Sequence, residues 1–341
     1  MFLTTRMIAL PAAALLTAAA LAGCGGSSSA GSSSGSTPGS GSGSGTAGKG
    51  LVAFIPGATG VGFYDALEEG AKAEAAKLGY TFLYQGSPDF TPAAQTPVVN
   101  AVCTKHPKIL LIAPTDPVAL RPAIQTCMNA GVKVVTVDTA LTNTAGLVSA
   151  ITSNNIQGGE AAAGVIAKAL KDHGQVAVFS IDGTTTTQVE RVQGLKKGLA
   201  RYPGISIVSS QFTGQPETVS ETDTKAIMTS HPQVKALFGA AETNAEGAAQ
   251  ALSSVGATGK LTVVGYDADP SAVSLLKTGA ISALVIQQPA REGQLGVEYG
   301  NDALTGHTSL IKTSVLLPNI LVTTAEAGNP SDAKYYYPAA S

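Results

Sequence analysis

The sequence predicts an α/β protein with two similar lobes, each built on a parallel β-sheet. At 341 residues the chain is too long for one typical domain and comfortable for two. Short apolar strands alternate with amphipathic helices, which is the pattern of βαβ units. Strands 132–137 and 261–266 each end in a carboxylate, Asp138 and Asp267. Ligands bind beyond the carboxyl ends of parallel strands, so we expect both aspartates at one cleft.

Either aspartate alone could equally begin a turn or cap a helix. It is their equivalent placement in two halves of the chain that favours a shared binding site. A formal net charge of −2 offers no basic face for nucleic acid. The four histidines have no zinc-ligand spacing. Of these, His106 and His231 each precede a proline at a predicted helix end, where a histidine is favourable near the last carbonyls.

The first 24 residues form a predicted signal peptide. Arg6 supplies a positive start, and the apolar run that follows is too short to span a bilayer comfortably. The run ends in Leu-Ala-Gly-Cys24, which resembles the bacterial lipobox, in which the cysteine is lipidated. The alternative is an ordinary signal peptide with an incidental cysteine. Residues 25–49 are rich in Gly and Ser and are predicted to be a flexible tether to the membrane.

The two halves repeat the same alternation of elements. In the first half we predict strands at 51–56, 80–85, 108–113 and 132–137, helices at 65–78 and 120–130, and between them a helix that follows a loop with Pro88 and Pro92 and runs through Cys103. In the second half we predict helices at 155–170, 188–201, 217–230 and 245–255, with strands at 175–181, 206–211, 234–238 and 261–266. Cys103 and Cys127 fall near the ends of neighbouring helices on one face of a sheet. A disulfide between them is the favoured interpretation, and two buried thiols are the alternative.

A glycine-rich turn, 57–64, follows the first strand. Its G-x-x-G-x-G spacing partly matches a dinucleotide-binding turn, but a lone match is weak. Acidic residues at the start of the next helix would repel a pyrophosphate, so no nucleotide cofactor is expected. The turn instead presents Phe63 and Tyr64 at the edge of the sheet, where aromatic faces can pack on a sugar ring. The alternative is that one or both rings belong to the core.

Seven short stretches follow one another in the order of a known family pattern, at residues 61–64, 78–80, 112–116, 135–138, 153–159, 263–267 and 286–289. Taken together, they resemble the periplasmic sugar-binding proteins of ABC importers with the ribose-binding-protein-like, type I fold. The resemblance implies two Rossmann-like, doubly wound lobes that are joined by a hinge of three crossovers. The expected N-terminal lobe comprises 50–150 and 285–313, and the C-terminal lobe comprises 151–284 and 314–330. Residues 331–341 form a tail that we expect to pack along a lobe.

The resemblance also implies a set of ligand-binding residues. Five positions of the family pattern are matched by Phe63, Tyr64, Asp138, Asp267 and Gln287. Three positions depart from the ribose binders: Thr139 stands in place of one arginine, Val189 in place of another, and Ala241 in place of an asparagine. Arg191 lies two residues beyond Val189. The rhamnose and autoinducer-2 binders of the superfamily, which this chain also resembles in part, add Gln188 as a candidate.

The leading hypothesis is a lipid-anchored, extracytoplasmic solute-binding protein, periplasmic or at the cell surface. It would capture a small sugar or polyol and deliver it to an ABC permease, as a monomer without catalysis, cofactor or metal. The alternative is a ligand-sensing subunit for a membrane signalling protein with the same fold. A repressor of this fold would carry an N-terminal helix-turn-helix, where this chain has a signal and a tether. A glycoside hydrolase could use paired carboxylates, but nothing in the sequence marks either aspartate as an acid catalyst.

Overall fold

A computed structural model of the chain describes residues 48–339. Cys24, the predicted signal peptide and nearly all of the predicted tether lie outside these residues. Within the described part, none of the helices combines the length and apolar character needed to cross a membrane.

Strands and helices alternate along most of the described chain. It begins with β1 (Leu51–Ile55), α1 (Gly62–Leu78), β2 (Thr81–Tyr84), α2 (Pro92–Cys103), β3 (Ile109–Ile112), α3 (Arg121–Asn129), β4 (Lys133–Val137) and β5 (Ser149–Ser153). It continues with α4 (Asn155–Leu170), β6 (His173–Ser180), α5 (Thr186–Leu199), β7 (Gly204–Phe212), α6 (Glu217–Ser230), β8 (Val234–Gly239), α7 (Glu242–Ser254), β9 (Thr262–Tyr266), α8 (Pro270–Thr278) and β10 (Ala283–Ile286). It ends with α9 (Pro289–Thr305), β11 (Ser314–Leu317) and β12 (Ile320–Thr323), and short 3₁₀ turns at Thr308–Leu310 and Ala333–Tyr335.

These strands form two six-stranded sheets, one in each lobe. The N-terminal sheet has the order β11-β5-β4-β3-β1-β2, and every neighbouring pair is parallel. The C-terminal sheet has the order β12-β10-β9-β8-β6-β7, with β12 antiparallel to β10 and the other pairs parallel. The residues of β3 are all fully buried, as expected for a strand that is covered by helices on both faces. The predicted two-lobed α/β fold is confirmed.

The chain crosses between the lobes three times, and each crossing lies outside a strand. All of β5 belongs to the N-terminal sheet, so the N-terminal lobe extends past residue 150 to Ser153. All of β10 belongs to the C-terminal sheet, so the expected lobe boundary between 284 and 285 is wrong. Strand β11 pairs with β5 and therefore belongs to the N-terminal lobe, so the expectation that 314–330 lie in the C-terminal lobe is wrong for this strand. A strand cannot be divided without leaving backbone groups unpaired, so the crossovers occur at strand ends.

Side-chain amides connect the three crossovers to one another. The Asn319 Nδ2 donates to the carbonyl oxygen of Asn154 at 2.7 Å, and the Gln288 Nε2 donates to that of Pro318 at 2.8 Å. A hinge built from three neighbouring segments permits the lobes to rotate about one axis while their internal packing is kept.

The helix α1 begins earlier than the sequence predicts. It begins at Gly62 rather than Asp65, so Phe63 and Tyr64 belong to its first turn and not to the preceding loop. The N-cap residue is Val61, whose side chain cannot accept a hydrogen bond, and the usual polar start signal is therefore missing. Both rings are nearly buried and still reach the cleft between the lobes.

A disulfide joins α2 and α3 in the N-terminal lobe. Cys103 is the last residue of α2, Cys127 lies in α3, and their Cα atoms are 5.3 Å apart. Both residues are buried among apolar side chains on one face of the sheet. The bridge fixes the two helices that lie side by side there, which is the arrangement that the right-handed crossovers require.

Candidate ligand-binding site

Asp138 and Asp267 occupy equivalent places in the two lobes. Each follows the last residue of a central strand, β4 or β9, and each has left-handed backbone geometry, with φ of 62° and 69°. Aspartate tolerates this geometry better than most residues because its short side chain bonds locally. Both are buried and line the same cavity of about 50 Å³ between the lobes. The repeated geometry points both carboxylates into one cleft.

The Asp138 carboxylate is held from its own lobe. The Tyr64 hydroxyl donates to Asp138 Oδ2 at 2.7 Å, and the Asp138 backbone N–H donates to Glu292 Oε2 at 2.8 Å. Burial raises the pKa of Asp138 to about 6; the nearby Arg191 and the Tyr64 hydroxyl oppose that shift, and the charge of Asp267 adds to it.

Glu292 of α9 is a buried support for this turn. Its Oε1 accepts a hydrogen bond from Ser153 Oγ at 2.9 Å, and its Oε2 accepts the Asp138 N–H. Burial holds the pKa of Glu292 well above its ordinary value, and the charge of Asp138 raises it further. Glu292 therefore ties the end of β4 to β5 and α9, and it fixes the unusual backbone of Asp138.

Asp267 is held by residues of the hinge, the C-terminal segment and its own lobe. Its Oδ1 accepts hydrogen bonds from Gln287 Nε2 at 2.7 Å and from the Tyr337 hydroxyl at 3.0 Å. Its Oδ2 lies 4.0 Å from Arg191 Nη1. One oxygen thus has two donors from the protein, and the other faces the guanidinium and the cavity.

Arg191 of α5 supplies the positive charge of the cleft. Its Nε donates to Asn155 Oδ1 at 2.9 Å, and its Nη1 donates to the carbonyl oxygen of Ala240 at 2.7 Å. The guanidinium lies 4.1 Å from the centre of the Tyr266 ring. These contacts hold the guanidinium in one place, with donors left over for a ligand.

Aromatic and acidic residues complete the cavity wall. The Phe63 and Tyr64 rings meet edge to face, 5.3 Å between centroids, and Phe90 lies beside them in the wall. Glu242, the first residue of α7, also lines the cavity, and burial raises its pKa to about 8. The wall thus offers apolar ring faces, carboxylate acceptors and guanidinium and amide donors. That combination suits a small ring with several hydroxyl groups.

Comparison with known proteins agrees with this geometry. Residues 52–308 match the model of the family described as the periplasmic binding protein domain. The chain belongs to the periplasmic binding protein family. This binding protein is 31% identical over 259 residues to the ribose import binding protein RbsB of Salmonella typhimurium, covering 76% of this chain and 86% of that one. The same protein of Escherichia coli K12 is 31% identical over 244 residues, covering 72% and 81%.

A solved structure of similar fold is an ABC transporter solute-binding protein from Agrobacterium vitis bound with α-D-tagatopyranose. It is 33% identical to this binding protein and has a TM-score of 0.81. The alignment covers 85% of this chain and all of the other. Together these similarities confirm the family resemblance stated from the sequence, that of a type I periplasmic sugar-binding protein.

The structure places all six candidate ligand-binding residues of this binding protein at one cavity. They are Phe63, Tyr64, Asp138, Gln188, Asp267 and Gln287. The Gln188 amide already bonds backbone groups, because its Oε1 accepts from the Ile181 N–H at 3.1 Å and its Nε2 donates to the Ala240 carbonyl at 3.4 Å. Whether each residue contacts a ligand stays a prediction.

The departures from the ribose pattern have structural consequences. Val189 does not line the cavity, whereas Arg191 does, since Gln188 and Arg191 are three residues apart on one face of α5. Thr139 is buried and donates to the carbonyl oxygen of Pro114 at 2.8 Å, so it offers no charge to the cleft. Ala241 is the N-cap residue of α7 and lines the cavity with a methyl group only.

Two charged residues that line the cavity, Arg191 and Glu242, were missed as sequence candidates. Arg191 was noted only as lying near a substituted position, and the i, i+3 spacing from Gln188 was the signal that would have placed it in the site. Glu242 was not considered, although it lies three residues beyond the end of β8, and ligands bind beyond the carboxyl ends of parallel strands.

The raised carboxyl pKa values predict that stability falls with increasing pH. Burial raises the pKa of Glu242 to about 8 and that of Glu246, one turn further along α7, to about 9. Between an ordinary glutamate pKa of 4.5 and these values, the folded protein binds more protons than the unfolded chain. The free energy of unfolding must therefore decrease as the pH rises through this window. We expect the Tm of the ligand-free protein to be several degrees lower at pH 9 than at pH 5.

Variants separate this effect from general alkaline instability. Glu242→Gln and Glu246→Gln should each reduce the slope of Tm against pH, because each removes one of the groups that release protons. Glu69→Gln, which changes an exposed glutamate, should leave the slope as in the wild type. A Tm that rises from pH 5 to pH 9 would contradict the expectation.

Proposed function

We propose that this protein captures a monosaccharide or a similar small polyol between its lobes and delivers it to an ABC permease outside the cytoplasm. One observation carries the proposal: two buried carboxylates, Asp138 and Asp267, enter one cavity from opposite lobes beside Arg191. Each carboxylate can accept from a ligand hydroxyl, and the guanidinium can donate to one. A ligand that bridges the lobes stabilises their closed arrangement by its extra contacts there.

The residues that line the cleft favour some sugars over others as the ligand. Thr139 and Ala241 lack the guanidinium and the amide that the ribose binders have at these positions, so ribose is not the favoured ligand. Arg191 retains one guanidinium, and the Phe63 and Tyr64 rings provide faces for the C–H groups of a sugar ring. The similarity to a protein bound with α-D-tagatopyranose supports a monosaccharide with a six-membered ring as the ligand. The names of the relatives favour import over signalling as the purpose of binding.

A thermal-shift screen of pentoses, hexoses and polyols, including D-tagatose and D-ribose, tests the proposal. A ligand at a concentration a hundred times its Kd stabilises the folded state by about 2.7 kcal/mol, which corresponds to a rise in Tm of roughly 5 °C. At least one sugar should produce such a rise. Protein purified from its own host should also retain a small molecule in native mass spectrometry. No shift with any sugar or polyol and no retained molecule would reject the proposal.

We further propose that the chain is anchored to the membrane by a lipid on Cys24. The argument comes from the sequence: an apolar signal ends at a lipobox-like Leu-Ala-Gly-Cys, and a Gly/Ser-rich tether follows. The tether would let the binding lobes reorient near a permease. The mass of the mature N-terminal peptide tests this proposal, since lipidation adds fatty acyl groups to the cysteine. An unmodified N-terminus downstream of Cys24 would reject it.

A further inference from the structure

The C-terminal segment 331–338 lies at the cleft and not only along one lobe. Its Tyr337 is buried, and the Tyr337 backbone N–H donates to the carbonyl oxygen of Ala268 at 2.9 Å, directly after Asp267. The segment is therefore fastened to the C-terminal lobe at the very turn that carries a candidate ligand-binding carboxylate.

The same segment contacts the N-terminal lobe. The rings of Tyr337 and Phe63 meet edge to face, with their centroids 6.0 Å apart. The Pro338 carbonyl oxygen passes so close to Gly62 that a Cβ atom at this position would lie 3.2 Å from it. The segment thus makes contacts on both sides of the cleft, and these contacts depend on the distance between the lobes.

The Tyr337 hydroxyl joins the two polar residues at the hinge side of the cavity. It donates to Asp267 Oδ1 at 3.0 Å and accepts from the Gln287 backbone N–H at 3.1 Å. Burial holds the pKa of Tyr337 well above its ordinary value, so the hydroxyl stays protonated as a donor. Together with Gln287 Nε2, the hydroxyl occupies Asp267 Oδ1, and Oδ2 is left toward Arg191 and the cavity.

We propose that Tyr337 is a positioning residue for ligand binding, and that segment 331–338 is a strap whose docking across both lobes is coupled to ligand binding. The hydroxyl sets which oxygen of Asp267 a ligand meets. The ring, held against Phe63, makes strap docking depend on closure of the cleft. The ligand part of this inference rests on the proposed function.

The first test compares Tyr337→Phe with Tyr80→Phe by calorimetric titration of the sugar that gives the largest thermal shift. Removing one buried hydrogen bond to a carboxylate should raise the Kd about tenfold in Tyr337→Phe. Tyr80→Phe is a matched control outside the strap, because the Tyr80 hydroxyl donates to Asn301 Oδ1 at 3.1 Å, away from the cavity. A Kd for Tyr337→Phe within twofold of the wild type, or an equal loss in both variants, would overturn the proposal.

The second test uses the reciprocity of linked equilibria. If strap docking favours ligand binding, ligand must favour strap docking by the same factor. Lys334 is exposed, and trypsin cleavage after it releases the peptide 335–341. Saturating sugar should slow release of this peptide about tenfold in the wild type and much less in Tyr337→Phe. Equal release with and without sugar would show that the strap is independent of the ligand.

A third measurement needs no ligand and separates this inference from the proposed function. The Gln287 backbone N–H donates to the Tyr337 hydroxyl, and phenylalanine offers no acceptor in its place. Hydrogen exchange at the Gln287 backbone amide should therefore accelerate in Tyr337→Phe. If no sugar binds the wild type, the proposed function fails, and this exchange rate alone decides whether Tyr337 orients the hinge side of the cavity. Unchanged exchange at Gln287 overturns the inference whatever the ligand result.

Discussion

Replacing Asp267 with asparagine is expected to weaken monosaccharide binding by about a hundredfold. The change keeps the size of the side chain but removes its charge and turns one acceptor into a donor. A hydrogen bond to a charged group contributes about 1.5–3 kcal/mol, and a ligand that bridges the lobes would lose one or two of them. The guanidinium of Arg191 would also lose the negative charge of the Asp267 carboxylate, which lies 4.0 Å from it in the wild type. Isothermal titration with the sugar identified by the thermal-shift screen measures the loss.

Asp138→Asn should produce a loss of similar size, because Asp138 is the equivalent carboxylate of the other lobe. Asp116→Asn is the matched control: Asp116 also follows a central strand of the sheet, but its Oδ1 accepts the backbone N–H groups of Val118 and Ala119 outside the cavity. Its variant should bind sugar like the wild type. Wild-type affinity in both Asp267→Asn and Asp138→Asn would mean that the ligand binds elsewhere.

Replacing Gly159 with alanine is expected to destabilise the folded protein by about 3 kcal/mol, the upper end of the usual cost of overpacking. Here the backbones of α4 and α5 are in direct contact. A Cβ atom at Gly159 would lie 2.2 Å from the carbonyl oxygen of Arg191 and 2.6 Å from the backbone nitrogen of Leu195. These are backbone atoms of a helix and cannot rotate away, so the two helices must separate. We expect a fall in Tm of roughly 5–10 °C in calorimetry.

Gly164→Ala is the control on the same helix. Gly164 is exposed, and no atom of another element lies within 4 Å of where its Cβ would be. Alanine in a helix interior is about 0.5–1 kcal/mol more favourable than glycine, so this variant should be slightly more stable than the wild type. If Gly159→Ala were equally stabilised, α4 and α5 would not be in close contact in solution.

The Gly159 variant should also affect ligand binding, through α5. This helix carries Gln188 and Arg191 into the cavity, and Arg191 also bonds Asn155 at the start of α4. Forcing the helices apart displaces the guanidinium from its place beside Asp267. Sugar affinity in Gly159→Ala should therefore fall even at temperatures where the variant is fully folded, whereas Gly164→Ala should bind normally.

The sequence alone determined the features that follow from local pattern. Apolar runs such as β3 and β4 are long enough and continuous enough to predict buried parallel strands, and the helices between them predict the βαβ connectivity. Because parallel strands all point their carboxyl ends to one edge, the positions of Asp138 and Asp267 after such strands were enough to place them at the cleft. Phe63 and Tyr64 became candidates from their place in the glycine-rich turn, and the family resemblance added Gln188 and Gln287.

Only the tertiary structure decided which residues support and complete that cleft. Glu292 reaches Asp138 from a helix 154 positions away in the chain, and Tyr337 reaches Asp267 from 70 positions away. Neither residue carries a local signal, because a buried hydrogen bond between distant segments leaves no periodicity in the sequence. The lobe that takes β11 was likewise settled by strand pairing, since a short edge strand of this kind fits either sheet. The local sequence pattern determines where each strand ends, whereas packing between distant segments determines which side chains contact the residue at that end.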